Sequence, residues 1–468
     1  MGELPELSGH HAAVAALSAE YRALPAGSPV RLAKPTSNLF RFREPTGVPG
    51  LGVSAFGSVL HVDPEAKTAE VGGMTTYEDL VAATLPHGLM PLVVPQLKTI
   101  TLGGAVAGLG IEATSFRNGL PHESMIEAEI ITGDGRIIVA RQDNEHAELF
   151  RGFPNSYGTL GYTLRLRIEL ETVSPYVRLR HIRFADAAAA AAALVEIYQH
   201  RSYDGQPVDF VDGTVFAPDD QDAGAKLGPE RTFLTLGDFV DEAPYTSDYT
   251  GMGIFYRSIP ERQTDYLTIH DFLWRWDTDW FWCSRAFGVQ NPKVRRFWPD
   301  KYKRSDVYRR MVALDRRHRV SDRVLSLRGQ PAQEPVIQDV EIPVDRLAEF
   351  MDFFHQEIGI SPVWLCPLAL RGDRQWPLYP LEPELLYVNV GFWSTVDLGP
   401  GEADGTHNRR IEQMVTELGG HKSLYSTSFY TAEEFARLYN GDAYRPLKKE
   451  YDPDGRLPDL YAKAVRNR

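Results

Sequence analysis

The chain has 468 residues, of which 43% are hydrophobic, and a formal net charge of −13. This length allows more than one hydrophobic core, because single cores stop growing well below it. The acidic balance argues against nucleic-acid binding, which needs a clustered positive surface. The sequence contains no run of eighteen apolar residues and no basic N-terminal region followed by an apolar core. We therefore expect neither a spanning helix nor a secretory signal, and we expect a cytoplasmic protein.

The chain has two cysteines, Cys283 and Cys366. Two are too few for a disulfide framework or a structural zinc site. We expect both thiols to act as small hydrophobic side chains, and we expect no metal site.

The first 174 residues alternate between predicted helices and strands. Apolar spacing predicts a short amphipathic helix over residues 12–21. The segments VLHV and AEVGG are typical of strands, and TTYEDLVAATLPHG is typical of a helix with a threonine cap and Gly88 past its end. Asp134-Gly135 predicts a hairpin between SMIEAEIIT and RIIVA. The alternation in TLRLRIELE predicts a strand with one buried face.

The pattern breaks near residues 172–175, where we place a domain boundary. The second unit is predicted to begin with the strand VRLRHIRF and a helix over residues 186–199 capped by Asp186. Asp212-Gly213 predicts another hairpin, and PVWLCPLAL and LLYVNVGFW predict further strands. From Thr431 the chain is predicted to form a helix followed by a polar end. The predicted fold class is α+β.

Residues 96–110, QLKTITLGGAVAGLG, form the segment most suggestive of chemistry. Its glycines and small residues allow close approach of the backbone, and its N–H groups and hydroxyls suit an anionic diphosphate. The segment lacks the Gly-Lys-Ser/Thr of a P-loop and the third glycine of a Rossmann fingerprint. On its own it is equally compatible with a tightly packed helix start.

The order of sequence blocks over residues 59–170 adds a resemblance. The blocks VDPEAKTAEVGGMTTYEDL, PHGLMPLVVPQLKTITLGGAVAGLG, FRNGLPHESMIEAEIITGDGRII and ELFRGFPNSYGTLGYTLRLRIEL resemble the FAD-binding domain of the vanillyl-alcohol-oxidase/p-cresol-methylhydroxylase superfamily. The resemblance implies a two-subdomain FAD-binding domain over residues 1–174. It further implies an α+β substrate or cap domain over residues 175–430, with a C-terminal segment, 431–468, packing back towards the flavin domain.

The resemblance also implies which residues lie near FAD. The family's histidine-containing loop is replaced by AKPTSN at residues 33–38, and no cysteine precedes Cys283. We therefore expect non-covalent FAD. The implied FAD-binding residues are Lys34, Pro35, Thr36, Ser37, Asn38, Gln96, Thr99, Thr101, Gly103, Gly104, Gly108, Ser115, His122, Glu123, Gly158 and Gly161.

The C-terminal half resembles a narrower group. PVWLCPLAL, ELLYVNVG, VIQDVEIPVDRL and LYNGDAYRPLKKEYDPDGRLPDLYAKA are similar to stretches of the sterol Δ24-reductases, FAD enzymes that saturate an isolated C=C bond with NADPH. VRLAKPTSNLFR, VVPQLKTITLGGAVAGLGIE and SFRNGLPHES resemble the bacterial FAD-dependent reductases of 10-methyl-branched fatty acid synthesis. This implies reduction of a 10-methylene acyl chain, expected on a phospholipid, to the 10-methyl chain of tuberculostearic acid. It also implies a partner methyltransferase of the cyclopropane-fatty-acid-synthase type.

Reduction of an isolated alkene needs a proton donor, because no carbonyl is present to accept hydride density. The candidate donors are Asp339, Glu341, Tyr387, Tyr425 and Tyr430. The sequence does not choose among them, and each also fits a structural hydrogen-bonding role.

The segment FLWRWDTDWFWCSRAF at residues 272–287 precedes a basic stretch, residues 293–323, with twelve Lys or Arg and four Asp. The aromatic residues suit an acyl tunnel or core packing. The basic stretch suits phospholipid head groups at a membrane surface, the methyltransferase partner, or a solvated helix face. The sequence leaves these alternatives open, together with homo- or hetero-oligomerisation.

Two other functions compete with the reductase. One is a flavin-dependent oxidase or dehydrogenase of an alcohol, sugar or sterol-like substrate, since glycine blocks do not set the direction of electron flow. The other is a flavin- or lipid-binding scaffold subunit for a methyltransferase.

Overall fold

The computed structural model describes residues 5–34, 40–41, 49–217, 231–318 and 331–465. Two antiparallel sheets and their helices confirm the predicted α+β class. Two short strand pairs lie outside these sheets: β1 (Leu32–Ala33) with β2 (Leu51–Gly52), and β10 (Ser202–Tyr203) with β11 (Gln206–Pro207). The first sheet contains β3 (Val59–Asp63), β4 (Thr68–Gly72), β5 (Leu89–Pro91), β6 (Met125–Thr132), β7 (Ile137–Arg141) and β8 (Gly161–Thr172). The second contains β9 (Tyr176–Phe184), β12 (Phe210–Val215), β13 (Thr232–Val240), β14 (Thr264–Thr268), β15 (Gln333–Pro343), β16 (Val363–Leu368), β17 (Tyr387–Asp397) and β18 (His421–Lys422).

The described α-helices pack around the two sheets and follow the chain into its C-terminal segment. They are α1 (Pro5–Ala23), α2 (Tyr77–Thr84), α3 (Leu102–Gly108), α4 (Ser115–Asn118), α5 (Ala147–Gly152), α6 (Ala187–His200), α7 (Phe255–Ser258), α8 (Ile269–Leu273), α9 (Pro292–Phe297), α10 (Ser305–His318), α11 (Leu347–Glu357), α12 (Thr406–Glu417), α13 (Ala432–Leu438), α14 (Gly441–Tyr451) and α15 (Leu460–Ala464).

The first sheet has the strand order β3-β4-β8-β6-β7, and β5 pairs with the far end of β8. Central strand β8 shows the predicted alternation: Leu166 and Ile168 are fully buried, whereas Arg165 and Arg167 point to the other face. Arg165 there donates to Glu127 at 2.6 Å. Period-two alternation thus fixes which face of this sheet meets the core.

Short-range signals placed most elements of the first unit correctly. The Thr76 hydroxyl caps α2 by accepting from the Asp79 N–H at 3.1 Å, and Gly88 takes the left-handed conformation just after it. Gly135, with φ of +85°, closes the predicted hairpin between β6 and β7. The first helix, α1, extends beyond the predicted 12–21 in both directions.

The second sheet has the order β14-β9-β13-β12-β16-β17-β15-β18, and its strands also alternate. On one face Val340 and Leu365 pack with α6, α11 and α12 in a separate apolar cluster. On the other face Trp364 and Cys366 join a core that continues into the first sheet. Asp339, one residue from Val340, is therefore carried on the face turned towards the first sheet.

The predicted hairpin at Asp212-Gly213 is wrong. Both residues lie inside β12, which pairs with β13 on one side and β16 on the other. A Cβ on Gly213 would lie 2.9 Å from the Phe233 carbonyl oxygen, so the glycine permits close strand packing rather than a turn. The Asp212 carboxylate accepts from Arg275 at 2.8 Å and from the Trp276 indole at 3.0 Å.

Strand β8 ends at Thr172 and β9 begins at Tyr176, on either side of the boundary placed at residue 174. The C-terminal segment contacts the N-terminal part of the chain. The Lys448 ammonium donates to the Thr159 carbonyl oxygen at 2.9 Å, and Arg456 donates to the Ser28 carbonyl oxygen at 2.9 Å. Within the described ranges no helix is both long and apolar enough to cross a membrane.

The buried Asp212 should contribute strongly to stability. Arg275 is only 3% exposed and shares its guanidinium between Asp212 and Glu112, so Asp212→Ala leaves a buried cation half-compensated. We expect a loss of about 3–5 kcal/mol in the free energy of unfolding, measured by urea denaturation. The control Asp442→Ala removes an exposed ion pair with Arg445 and should change this free energy by less than about 0.5 kcal/mol. Equal losses in the two variants would contradict the assignment.

Candidate functional site

A cavity of about 1010 Å³ lies between the two sheets. One wall is built from residues 95–111 and from Tyr157 to Thr163 of the first unit. The facing wall is built by Asp339 of β15, Trp364 of β16 and Trp393 of β17. Arg31, near the N-terminus, and Lys463, near the C-terminus, also line the cavity. This size is at the upper end of the range for cofactor and ligand sites.

The glycine-rich segment forms the first wall because its glycines allow close packing. A Cβ on Gly103 would lie 2.6 Å from the Gly73 carbonyl oxygen, and one on Gly108 would lie 3.0 Å from the Tyr157 ring. The structure therefore brings nine of the predicted FAD-binding residues to the cavity wall: Lys34, Gln96, Thr99, Thr101, Gly103, Gly104, Gly108, Gly158 and Gly161.

The start of α3 does not offer free N–H groups, contrary to the sequence-based expectation. The Leu102 N–H donates to the Thr75 carbonyl oxygen at 2.9 Å, and the Gly103 N–H donates to that of Gly73 at 3.0 Å. The Gly104 N–H donates to the Thr101 hydroxyl at 3.2 Å. The helix start is satisfied by its own surroundings, so an anion in this cavity must be held by other groups.

Cationic side chains line the cavity instead. Arg31, Lys34, Arg41 and Lys463 are all on its wall, whereas Asp339 is the only carboxylate among the described lining residues. In a protein with a net charge of −13, this imbalance favours an anionic guest. The Arg41 guanidinium lies 4.4 Å from the centre of the Tyr157 ring, and the Lys463 ammonium donates to the Tyr157 carbonyl oxygen at 2.5 Å.

Two buried polar atoms on the wall also fit a polar guest. The Gln96 amide nitrogen and the Thr163 hydroxyl have no hydrogen-bonding partner among the described residues. Buried polar groups are normally paired, so both favour a ligand with polar atoms at this position. Together with the cations and the glycine wall, they fit a dinucleotide such as FAD.

The remaining predicted FAD-binding residues are not on the wall. Ser115 accepts from the Glu112 N–H at 3.0 Å, and Glu123 accepts from the N–H groups of Leu120 and Arg371. His122 is fully buried edge-on against Trp376 at 4.5 Å, and burial lowers the pKa of its imidazole to about 3. The Ser115 hydroxyl therefore bonds within the first unit, whereas His122 and Glu123 contact Trp376 and Arg371 of the second unit. Pro35, Thr36, Ser37 and Asn38 lie outside the described residues.

Two of the five candidate proton donors, Asp339 and Tyr425, lie on the cavity wall. The Asn389 amide donates to Asp339 at 3.3 Å, and the Trp393 indole donates to the Tyr425 hydroxyl at 2.9 Å. Burial raises the pKa of the Asp339 carboxyl to about 7, although Asn389 and Tyr425 oppose the rise. This carboxyl can therefore hold and release a proton near neutral pH.

Glu341 lies two residues further along β15, behind the wall. It accepts hydrogen bonds from the Tyr379 hydroxyl and from the Ser423 hydroxyl, the latter at 3.1 Å. Burial raises its pKa to about 8. Ser423 itself lines the cavity, so it separates Glu341 from the space where a substrate would lie.

Tyr387 and Tyr430 are not among the residues that line the cavity. The Tyr387 hydroxyl accepts from the Glu382 N–H at 3.2 Å, and the Tyr430 ring packs against Tyr439 at 6.1 Å. Both phenols are buried in the core, and burial raises their pKa values.

Aromatic rings form the second wall. Phe281 lies 4.4 Å from Trp393 and 5.4 Å from Trp364, and Trp280 stacks on Phe40 at 5.7 Å, each distance joining ring centres. Of the aromatic run at residues 272–287, Trp280 and Phe281 line the cavity, whereas Trp274, Trp276 and Trp282 are buried in the core. This wall suits an apolar substrate.

Sequence reasoning missed several lining residues, notably Arg31, Arg41, Ser423 and Lys463. Isolated cations carry no local pattern. The blocks that carry the resemblances do contain three of these cations: VRLAKPTSNLFR contains Arg31 and Arg41, and the segment YAKA, which ends the C-terminal block similar to sterol reductases, contains Lys463.

Comparisons with known proteins agree with this geometry. Residues 12–141 match a family model described as an FAD binding domain. The chain is 26% identical to the Delta(24)-sterol reductase of Arabidopsis thaliana over 455 residues, which covers 88% of this chain and 76% of the relative. It is 25% identical to the Delta(24)-sterol reductase of Homo sapiens, covering 87% of this chain and 76% of the relative. Cytokinin dehydrogenase 6 of Oryza sativa subsp. japonica is 32% identical over 121 residues, 26% of this chain and 23% of the relative.

Residues 95–111 of the glycine-rich wall and three of the four cavity cations, Arg31, Lys34 and Arg41, lie within the stretch that matches the FAD binding domain. The similarity to reductases continues through the second unit, where the raised-pKa carboxyl and the aromatic wall are found. The chain carries an FAD binding domain and is an FAD-dependent oxidoreductase.

Proposed function

We propose that this protein reduces the isolated C=C bond of a 10-methylene fatty acyl chain, carried on a phospholipid, to a 10-methyl branch, with NADPH as the reductant. The observation that carries the proposal is the position of Asp339, a carboxyl with a pKa raised to about 7, on the same cavity as the FAD-compatible wall. The similarity to sterol reductases over 88% of the chain supports reduction of a C=C bond. The resemblance of residues 30–41, 93–112 and 115–124 to 10-methyl-forming reductases supports the acyl substrate.

Different residues of the cavity have different roles in the proposed reaction. Arg31, Arg41 and Lys463 are placed to hold a diphosphate, and the glycine wall lets a flat ring system approach the backbone. FAD, when reduced, supplies a hydride. The aromatic rings of Trp280, Phe281 and Trp393 exclude water from an apolar chain.

Asp339 supplies the proton. Transfer of its proton to the CH2 end of a 1,1-disubstituted alkene places positive charge on the more substituted carbon, which the hydride then captures. One proton and one hydride are consumed, and both carbons become saturated. Tyr425, beside Asp339 on the wall, positions the carboxyl and is itself fixed by Trp393.

A sterol-type alkene is the second candidate substrate, favoured by the similarity to Delta(24)-sterol reductases. Reduction of a trisubstituted alkene in a sterol side chain also requires a proton donor beside a hydride source. The two substrates therefore differ in shape rather than in mechanism.

The methyltransferase partner remains part of the proposal for the acyl substrate. A 10-methylene chain must come from an enzyme that adds one carbon to an unsaturated acyl chain, and a cyclopropane-fatty-acid-synthase-type methyltransferase supplies that chemistry.

The activity is tested by anaerobic incubation of the flavin-loaded protein with NADPH and one of three substrates. We expect a 10-methylene-octadecanoyl phospholipid to be saturated, and an oleoyl phospholipid, a matched internal alkene, to remain unchanged, as read by mass spectrometry of the acyl chains. Saturation of a Δ24-sterol alone would move the assignment to the second candidate. Flavin reduction followed by turnover only of oxygen or an alcohol would contradict both.

Asp339→Asn tests the proton donor. We expect the rate of alkene reduction to fall by about 10²–10⁴-fold, because an amide cannot donate the proton. In the parent the acid form is required, so activity should be full below a pH of about 7 and should fall as the pH rises through it. Glu341→Gln is the matched control on the same strand, and its alkene-reduction activity should fall with the same pH midpoint as that of the parent. Loss of the pH dependence in Glu341→Gln but not in Asp339→Asn would assign the proton to Glu341.

Lys463→Gln tests the cofactor-binding wall. Loss of a charged hydrogen-bond donor beside a diphosphate should weaken FAD binding roughly tenfold or more. The measurement is the flavin retained per chain across a dilution series, followed by flavin fluorescence. Lys449→Gln, an exposed lysine of α14, removes the same charge away from the cavity and should retain FAD as the parent does. Equal retention by both variants would show that Lys463 does not hold the cofactor.

A further inference from the structure

Exposed apolar side chains gather in one part of the surface. Of the seven large hydrophobic residues that are exposed within the described chain, four lie in or beside residues 251–253 and 293–302. They are Met252 at 52% exposure, Val294 at 40%, Phe297 at 83% and Tyr302 at 45%. Exposed apolar side chains that are grouped, unlike singly scattered ones, indicate a surface that makes an external contact.

Side-chain hydrogen bonds join the two segments to each other. Arg295, which is buried, donates to the carbonyl oxygens of Gly251 at 2.9 Å and Gly253 at 2.8 Å, on either side of Met252. The Lys303 ammonium donates to the Gly251 carbonyl oxygen at 3.0 Å. Met252, Val294, Phe297 and Tyr302 thus belong to one surface, here called the apolar-basic patch.

The structure separates the basic residues of this region into two groups. Arg295 pairs with the buried Asp279 at 2.7 Å, Lys303 pairs with Asp300 at 2.7 Å, and Arg304 pairs with Glu78 at 2.7 Å. These three cations form ion pairs within the folded chain.

Lys293, Arg296 and Lys301 form the second group. All three are exposed, and none is in an ion pair with another described residue. They alternate along the chain with the exposed Val294, Phe297 and Tyr302, and the Lys301 ammonium lies 5.0 Å from the centre of the Tyr302 ring. A positive patch on a protein with a net charge of −13 is complementary to an anionic surface.

The patch is also connected to the cavity. Asp279, the partner of Arg295, directly precedes Trp280 and Phe281, which line the cavity. A single buried ion pair therefore joins the surface that carries Phe297 to the aromatic wall facing an apolar substrate.

We propose that the apolar-basic patch docks this protein onto an anionic phospholipid bilayer. Phe297, Val294 and Met252 enter the interface between head groups and acyl chains, while Lys293, Arg296 and Lys301 contact the phosphates. An exposed aromatic ring flanked by cations favours a bilayer over an acidic protein, whose surface has no apolar layer beneath its charge. Docking depends only on this surface, so it holds whichever alkene the cavity accepts.

The test is flotation of the flavin-loaded protein with vesicles of phosphatidylcholine alone or of phosphatidylcholine with phosphatidylglycerol. We expect the parent to float with the anionic vesicles only. The double variant K293Q/R296Q should partition roughly thirtyfold more weakly, since two cations are lost, and Phe297→Ser should also reduce partitioning without affecting the fold.

Matched controls remove equal groups elsewhere. R437Q/K449Q removes two exposed cations from α13 and α14, and Leu385→Ser removes an exposed apolar side chain outside the patch. Both should float like the parent. A parent that stays unbound with anionic vesicles would overturn the proposal, as would patch variants that float like the parent or controls that lose binding equally. Retention of the parent on a polyglutamate resin without vesicle binding would assign the patch to an acidic protein instead.

Discussion

The alternation of side chains along β15 and β16 decides which groups face the cavity and which are buried beneath the helices. In β15, Val340 and Ile342 pack beneath α11 and α12, so Asp339 and Glu341 must face the other way. In β16 the same alternation separates Leu365 from Trp364. Because the apolar residues of each strand are committed to one face, β15 presents Asp339 and β16 presents the Trp364 indole to the space opposite the first sheet, where the cavity forms.

The cavity combines two environments that are usually kept apart. Its first wall is rich in glycine and cations, with Arg31, Arg41 and Lys463 drawn from both ends of the chain. Its second wall is aromatic and carries a single carboxyl among the described lining residues, Asp339. Low polarity around that carboxyl raises its pKa to about 7, so the apolar wall that suits a hydrocarbon also prepares the acid that such a substrate needs.

Local signals predicted local structure well. The Thr76 and Asp186 caps and the Asp134-Gly135 turn act over three or four residues, and the structure forms each of them. Asp212-Gly213 failed because pairing with two distant strands overrides turn propensity. The sequence predicted that the glycine-rich segment lies at the site. It did not reveal that N–H groups of this segment donate hydrogen bonds to the carbonyl oxygens of Gly73 and Thr75. The surroundings of His122 depend on Trp376, which comes from the second unit. Among the donor candidates, Asp339 and Tyr425 line the cavity, whereas Tyr387 and Tyr430 are buried in the core, and this difference in burial is not visible in the sequence.

We propose that a hydride and the Asp339 proton add to the two carbons of one alkene in this cavity. The most direct test of this addition is the position of isotope in the product of a single anaerobic turnover. With deuterated reductant in ordinary water, deuterium should appear at C10 of the acyl chain, and with ordinary reductant in heavy water it should appear in the new methyl group. Deuterium from the solvent at C10 with deuterium from the reductant in the methyl group would show the opposite polarity of addition, and Asp339 would then not protonate the CH2 carbon.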